Sequence, residues 1–156
     1  MQRGGGNSVI SVDMCKRKFG SQTCWLAATT GKAAHLIKGR TWHTLVGMGV
    51  RRIRLGSDSK KRLQREWKDV RLLIVDEFSM LGGRSLYWLD DRLRQIRPQL
   101  ANLPFGGMSI IFVGDLGQLP PVLDCPLFRP DIAKNDQARR GSVKSRIGSN
   151  RVQVAR

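Results

Sequence analysis

Two runs of consecutive apolar residues, Leu72–Val75 and Ile110–Val113, carry no polar alternation. That is the pattern of strands buried on both faces, as in a parallel sheet covered by helices. Cys24-Trp-Leu-Ala-Ala28 reads the same way. Between these runs the apolar period changes. Leu86, Leu89, Leu93 and Ile96 recur at helical spacing within Arg84–Arg97, and Pro98 closes the segment. Another helix is predicted through Leu63 and Trp67, after a basic surface loop that includes Gly56-Ser-Asp-Ser59. Shorter helices are predicted from Val9 to about Lys18, with Gly20 as the stop signal, and through Ile37 after a loop at Thr29–Ala34. Strands alternating with helices define an α/β fold, a parallel sheet flanked by helices.

Each predicted strand runs into polar chemistry. Leu72–Val75 leads straight into Asp76 and Glu77. Ligands of open α/β sheets bind outside the carboxyl ends of the strands, where two acids can hold a hydrated Mg²⁺ and polarise a water. This is the Walker B pattern. The strand at Cys24 enters Thr29-Thr-Gly-Lys-Ala-Ala34, a loop opening a helix. Its N–H groups and the Thr30 hydroxyl can grip a phosphate, or simply cap that helix. Ile110–Val113 enters Gly114-Asp-Leu-Gly-Gln-Leu-Pro-Pro121. Thr30, Asp76, Glu77, Asp115 and Gln118 thus converge on one sheet edge, which three separate coincidences would be needed to explain otherwise.

Two further stretches bear on a ligand. Met1-Gln-Arg-Gly-Gly-Gly-Asn-Ser8 precedes the first predicted helix. Against the phosphate-loop pattern G-x-x-G-x-G-K-[ST], Gly4, Gly6 and Ser8 match, while Met1 replaces the first Gly and Asn7 replaces the Lys. Gly4, Gly5, Gly6, Asn7 and Ser8, with Asp115, are the candidate nucleotide-binding residues. Their loop can cradle phosphate through backbone N–H groups but lacks the ammonium that reaches the β- and γ-phosphates. A flexible glycine-rich end is the plainer alternative. The second stretch, Gly39–Leu45, sets Trp42, His43, Thr41 and Thr44 beside Lys38 and Arg40. That mixture suits stacking a base and holding its backbone, although Trp42 equally suits a core.

A chain of 156 residues can form one domain with a real core and is short for a motor built of two. The net charge of +16 and pI near 11.2 exceed what solubility requires and favour a polyanionic partner, most simply nucleic acid. Cys15, Cys24 and Cys125 form no Cys-x-x-Cys pair, and His35 and His43 have no partners at metal-ligand spacing. Reduced thiols and an intracellular compartment are therefore expected. No segment approaches the roughly 20 apolar residues that span a bilayer, and no secretory signal opens the chain, so no membrane association is expected. From Arg129 to Arg156 eight basic residues face two acidic ones, with one aliphatic pair at most. This reads as a disordered basic C-terminal tail, leaving residues 1–128 as the domain.

These residues resemble the PIF-type (petite integration frequency) DNA helicases of superfamily one, including the helicase parts of Helitron-like transposons. The resemblance runs from about Gly4 to Phe128 and rests on Leu73-Ile-Val-Asp-Glu-Phe-Ser-Met80, Pro104-Phe-Gly-Gly107 and Gly114-Asp-Leu-Gly-Gln-Leu-Pro-Pro-Val122. Ala28-Thr-Thr-Gly-Lys-Ala-Ala34 and Thr41-Trp-His-Thr44 resemble the family's DNA-contacting motifs. The resemblance implies an incomplete RecA-like P-loop NTPase domain, the first of two motor domains of an ATP-dependent helicase that moves 5′ to 3′ on single-stranded DNA. It implies Mg²⁺ held by Ser8 and Asp76, Glu77 orienting and deprotonating water, Gln118 sensing the γ-phosphate, and Thr30, Gly31 and His43 on DNA. It also implies roles in telomere maintenance, replication, recombination and repair, in the nucleus or the mitochondrion. Several departures stand out: Met1 and Asn7 in the phosphate loop, Thr29 where the family usually has Pro, no strand before that loop, and no second motor domain with its ATP-site arginine. A truncated or degenerate copy is expected on that account. The alternative is a basic, non-catalytic nucleic-acid-binding remnant.

Overall fold

The computed structural model of the protein describes residues 17–18, 20, 22–49, 55–115, 121 and 124–127, and the backbone of 152–155. The three strands predicted from apolar runs form as expected: β1 (Cys24–Ala28), β3 (Leu72–Asp76) and β4 (Ser109–Val113). With the short β2 (Arg40–Thr41) and β5 (Val152–Ala155) they build a five-stranded sheet of order β2-β1-β3-β4-β5. Every pairing is parallel. Among the described residues, four α-helices lie between the strands: α1 (Gly31–Leu36), α2 (Trp42–Leu45), α3 (Ser57–Glu66) and α4 (Gly83–Ile96).

Alternate side chains of each central strand enter two different cores, which is why the runs are apolar throughout. Leu73, Val75, Ile110 and Phe112 pack with α2, α3 and α4 through Trp42, Leu45, Leu63, Leu86, Leu89 and Leu93. Leu72, Ile74 and Val113 join Cys24, Leu26 and Ala28 on the opposite face, under Ala33, Ala34 and Ile37 of the α1 region. On the larger face Trp67 inserts against Trp25, with ring centroids 4.8 Å apart, and its indole N–H donates to the Leu45 carbonyl at 3.1 Å.

The predicted helix over Arg84–Arg97 is α4, displaced by one residue at each end. Three residues assigned to the surface loop, Ser57, Asp58 and Ser59, instead form the first turn of α3, with Gly56 before them and Asp58 placed favourably at the helix N-terminus. Trp67 caps that helix at its other end. Arg17 and Lys18 are helical, as predicted for the end of a first helix whose remainder lies outside the described residues.

The tail reading needs correction at one place. Val152–Ala155 was expected to be disordered, yet its backbone pairs with β4 from Ile110↔Val152 to Val113↔Ala155. Two β-branched residues at alternate positions, Val152 and Val154, suit a strand, and β4 offers a parallel edge to pair with. Among the described residues no helix is long and apolar enough to cross a membrane.

The Pro104-Phe-Gly-Gly107 motif makes the tight turn into β4. Phe105, Gly106 and Gly107 all have positive φ, at 53°, 59° and 69°. A side chain at Gly106 would place Cβ 2.7 Å from the Leu93 carbonyl oxygen, so glycine is required by contact as well as by conformation. Phe105 tolerates its left-handed backbone because the buried Asp90 carboxylate accepts its N–H at 2.6 Å. Arg94 neutralises the same carboxylate, with Nε 2.9 Å from both oxygens.

Candidate functional site

The parallel register brings the three strand ends together. Ala28 pairs with Asp76, and Val75 with Phe112, so Thr29, Glu77 and Gly114 emerge side by side at the carboxyl edge. Asp76 is the last residue of β3 and only 6% exposed. One of its carboxylate oxygens accepts the Glu77 N–H at 2.9 Å. Glu77 then turns the chain in the left-handed region (φ 55°, ψ 41°), which carries its side chain off the strand axis at the mouth of the edge. Such a conformation at a non-glycine residue costs on the order of 1 kcal/mol or more and persists only where neighbours hold it. Here the Glu77 carbonyl accepts the Thr29 hydroxyl at 3.1 Å and the Met80 N–H at 3.2 Å.

Gly114 explains how β4 comes so close. Its φ is 153°, and a Cβ built there would lie 3.0 Å from the Phe78 nitrogen and 3.3 Å from Glu77 Cα. Any side chain would push the Asp115 segment away from Glu77. The result is a concentration of carboxylates. The Glu77 carboxyl is raised above its ordinary value first by burial, then by the negative charge of Asp76 and of Asp115. Charge crowding of this kind is relieved by a cation, and the oxygen donors are those that a hard divalent ion prefers. In that sense Asp76 and Glu77 fit the Mg²⁺ expected of the sequence, although no group of three acidic, His or Cys side chains at metal-binding separation occurs among the described residues.

The remaining predicted site residues divide three ways. Thr30 is the N-cap of α1, its hydroxyl accepting the Ala33 N–H at 3.2 Å, and Gly31 opens that helix beside it. Both stand at the same sheet edge as Glu77. Trp42 needs correction: at 2% exposed it belongs to the larger core, so its face is not offered to a base. Its apolar bulk, placed on α2 over the sheet, decided that outcome. His43, the next residue, is partly exposed and stacks on Trp42 with ring centroids 3.7 Å apart. Gly4, Gly5, Gly6, Asn7, Ser8 and Gln118 lie outside the described residues.

Sequence reasoning passed over Asp124. Its carboxylate accepts the N–H of Arg84 (3.0 Å), the N–H and hydroxyl of Ser85 (both 2.9 Å) and the N–H of Cys125 (2.8 Å). It thereby caps α4 from 40 residues downstream, and Gly83 N–H to Cys125 carbonyl at 2.8 Å completes the clasp. The segment after the Gly114–Pro121 motif is thus fastened to the helix that comes after Glu77. Ser85 two residues into a glycine-initiated helix was the available signal, because Gly82 supplies no side-chain cap of its own.

Adjacent acids and a helix N-terminus stand here at the carboxyl edge of a parallel sheet, the edge at which open α/β proteins bind their ligands. Comparison with known proteins makes the assignment specific. The family model for PIF1-like helicases matches residues 4–135, and the chain belongs to that family. The ATP-dependent DNA helicase PIF1 of Saccharomyces cerevisiae is 35% identical over 92% of this chain, and the Pif1 helicase of Bdellovibrio bacteriovorus 36% identical over 76%. Among solved structures, Bacteroides Pif1 in complex with ADP-AlF3 and single-stranded DNA superposes on 76% of this chain with a TM-score of 0.64 and 34% identity. Candida albicans Pif1 superposes on 99% with a TM-score of 0.69 and 26% identity. The chain spans 18% and 28% of the lengths of the two curated relatives, and 28% and 35% of the two solved chains.

Proposed function

We propose that this chain is the first RecA-like motor segment of an ATP-dependent DNA helicase, hydrolysing ATP at the carboxyl edge of β3 while engaging single-stranded DNA. The observation that carries this reading is the juxtaposition of Asp76, Glu77, Gly114 and Thr29 at one sheet edge. The Bacteroides relative whose fold it shares was captured with ADP-AlF3 and single-stranded DNA together. In this reading Glu77, raised in pKa and held at the mouth of the edge, orients water and accepts its proton. Asp76, with Ser8, would hold Mg²⁺, which when bound neutralises phosphate charge. Asp115 and Gln118 would face the nucleotide, and Gly4–Ser8 would cradle its phosphates.

Thr30, Gly31 and His43 would contact the DNA backbone and bases, and the positive charge of the chain would add sequence-independent attraction. Movement 5′ to 3′, a second motor domain completing the ATP site, roles in repair, recombination and telomere maintenance, and a nuclear or mitochondrial location extend the same proposal. Asn7 in place of the phosphate-loop lysine favours one further reading, a nucleic-acid-binding segment with a weak nucleotide site. ATP turnover by the full chain, with and without an oligo-dT strand, separates the two. DNA-stimulated hydrolysis that Glu77→Gln abolishes, with nucleotide binding retained, supports the helicase reading. DNA binding without any turnover supports the other.

A further inference from the structure

We propose that Thr29 is a positioning residue for Glu77, its hydroxyl tying the loop that carries Thr30 and Gly31 to the backbone of the water-activating carboxylate. The inference rests on the ATPase reading above for what Glu77 does, and on geometry alone for the tie. Thr29 lies at the end of β1 and Glu77 at the end of β3, 48 residues apart in sequence. The Thr29 hydroxyl donates to the Glu77 carbonyl across that gap at 3.1 Å in a partly buried setting. Glu77 needs such help, because its φ of 55° is a conformation non-glycine residues rarely hold unaided.

Position gives the bond its consequence. Thr30, the next residue, caps α1 through its own hydroxyl, so Thr29 joins a capped helix end to the acidic turn. The Glu77 carbonyl also accepts the Met80 N–H at 3.2 Å, which closes the turn from Phe78 to Met80. Beyond the last ladder pair, Ala28 with Asp76, this hydroxyl is a direct link by which a shift of the Thr30–Gly31 loop on binding a strand reaches the Glu77 peptide group. A strand bound to that loop would tighten the turn. Removal of the hydroxyl would uncouple them without emptying either site.

The test uses the full chain and three proteins: wild type, Thr29→Val, which keeps shape and loses the hydroxyl, and Thr29→Ser, which keeps the hydroxyl. Amide hydrogen exchange over residues 77–82 is followed with and without oligo-dT, alongside melting temperature, oligo-dT affinity and ATP turnover. Losing one such bond should speed exchange there by about threefold to tenfold in Thr29→Val, with Thr29→Ser near wild type. Oligo-dT should slow exchange of this turn in wild type and Thr29→Ser, and leave Thr29→Val unchanged although the strand still binds. Where turnover is measurable, kcat should fall in Thr29→Val at unchanged KM and recover in Thr29→Ser. Equal exchange in all three proteins, or equal protection by oligo-dT, overturns the tie. Exchange that follows the hydroxyl in a chain without ATP turnover overturns the hydrolysis reading and leaves the tie standing.

Discussion

Replacing Asp124 with Ala removes the clasp between the end of the Gly114–Pro121 motif and the start of α4. The carboxylate accepts four hydrogen bonds, two of them from the first N–H groups of that helix. Loss of a helix cap costs about 1 kcal/mol, and loss of an acid near the positive end of a helix about 0.3–1 kcal/mol. Because Asp124 is only partly buried, water takes over some of these contacts, so a net loss of about 1–2 kcal/mol is expected. For a chain of this size that is a fall in Tm of about 2–8 °C, read by tryptophan fluorescence at pH 7. The effect should also depend on pH. Burial alone would raise the Asp124 carboxyl, but the hydrogen bonds from Arg84, Ser85 and Cys125 outweigh it and hold the group below its ordinary value. A depressed folded-state pKa gives stability that is fully present above the unfolded pKa, near 3.9, and is lost as pH falls through the folded value. Wild type and Asp124→Ala should therefore differ most at neutral pH and converge in acid. A difference in Tm that persists unchanged to pH 3, or is absent at pH 7, would refute the reasoning.

Gly114→Ala should lower both Tm and ATP turnover, since its φ of 153° is strained for alanine and its Cβ would meet the Phe78 nitrogen at 3.0 Å and displace the Glu77 turn; thermal melting and steady-state kinetics below the lowered Tm read the two effects. Asp90→Ala should destabilise far more, by about 3–5 kcal/mol in urea unfolding, because it strands a partly buried arginine and the Phe105 N–H. Affinity for single-stranded DNA should fall with salt, log affinity against log salt having a slope of about −0.7 per phosphate contacted, measured by fluorescence anisotropy.

Much of this site was legible in the residues alone. Apolar runs fixed β1, β3 and β4, and their abrupt polar ends placed Thr30, Asp76, Glu77 and Asp115 on one edge, because a parallel register must align the residues just past each strand. Trp42 was ambiguous in principle: an aromatic beside basic residues can stack on a base or fill a core, and only tertiary packing decides. The Asp124 cap and the Thr29 tie are contacts over 40 and 48 residues, for which no local periodicity exists. Val152–Ala155 escaped notice because four residues inside a basic segment acquire strand character only from the partner edge of β4.

Titration of Mg²⁺-ATP into wild type and Asp76→Asn, by calorimetry with and without a metal chelator, tests the central claim most directly. If the carboxyl edge of β3 is a metal-nucleotide site, wild type should bind at least about tenfold more tightly than Asp76→Asn, a difference of about 1.4 kcal/mol, and chelation should erase the gap. Equal affinities in the presence of Mg²⁺ would show that Asp76 holds no metal for a nucleotide, and would contradict the account.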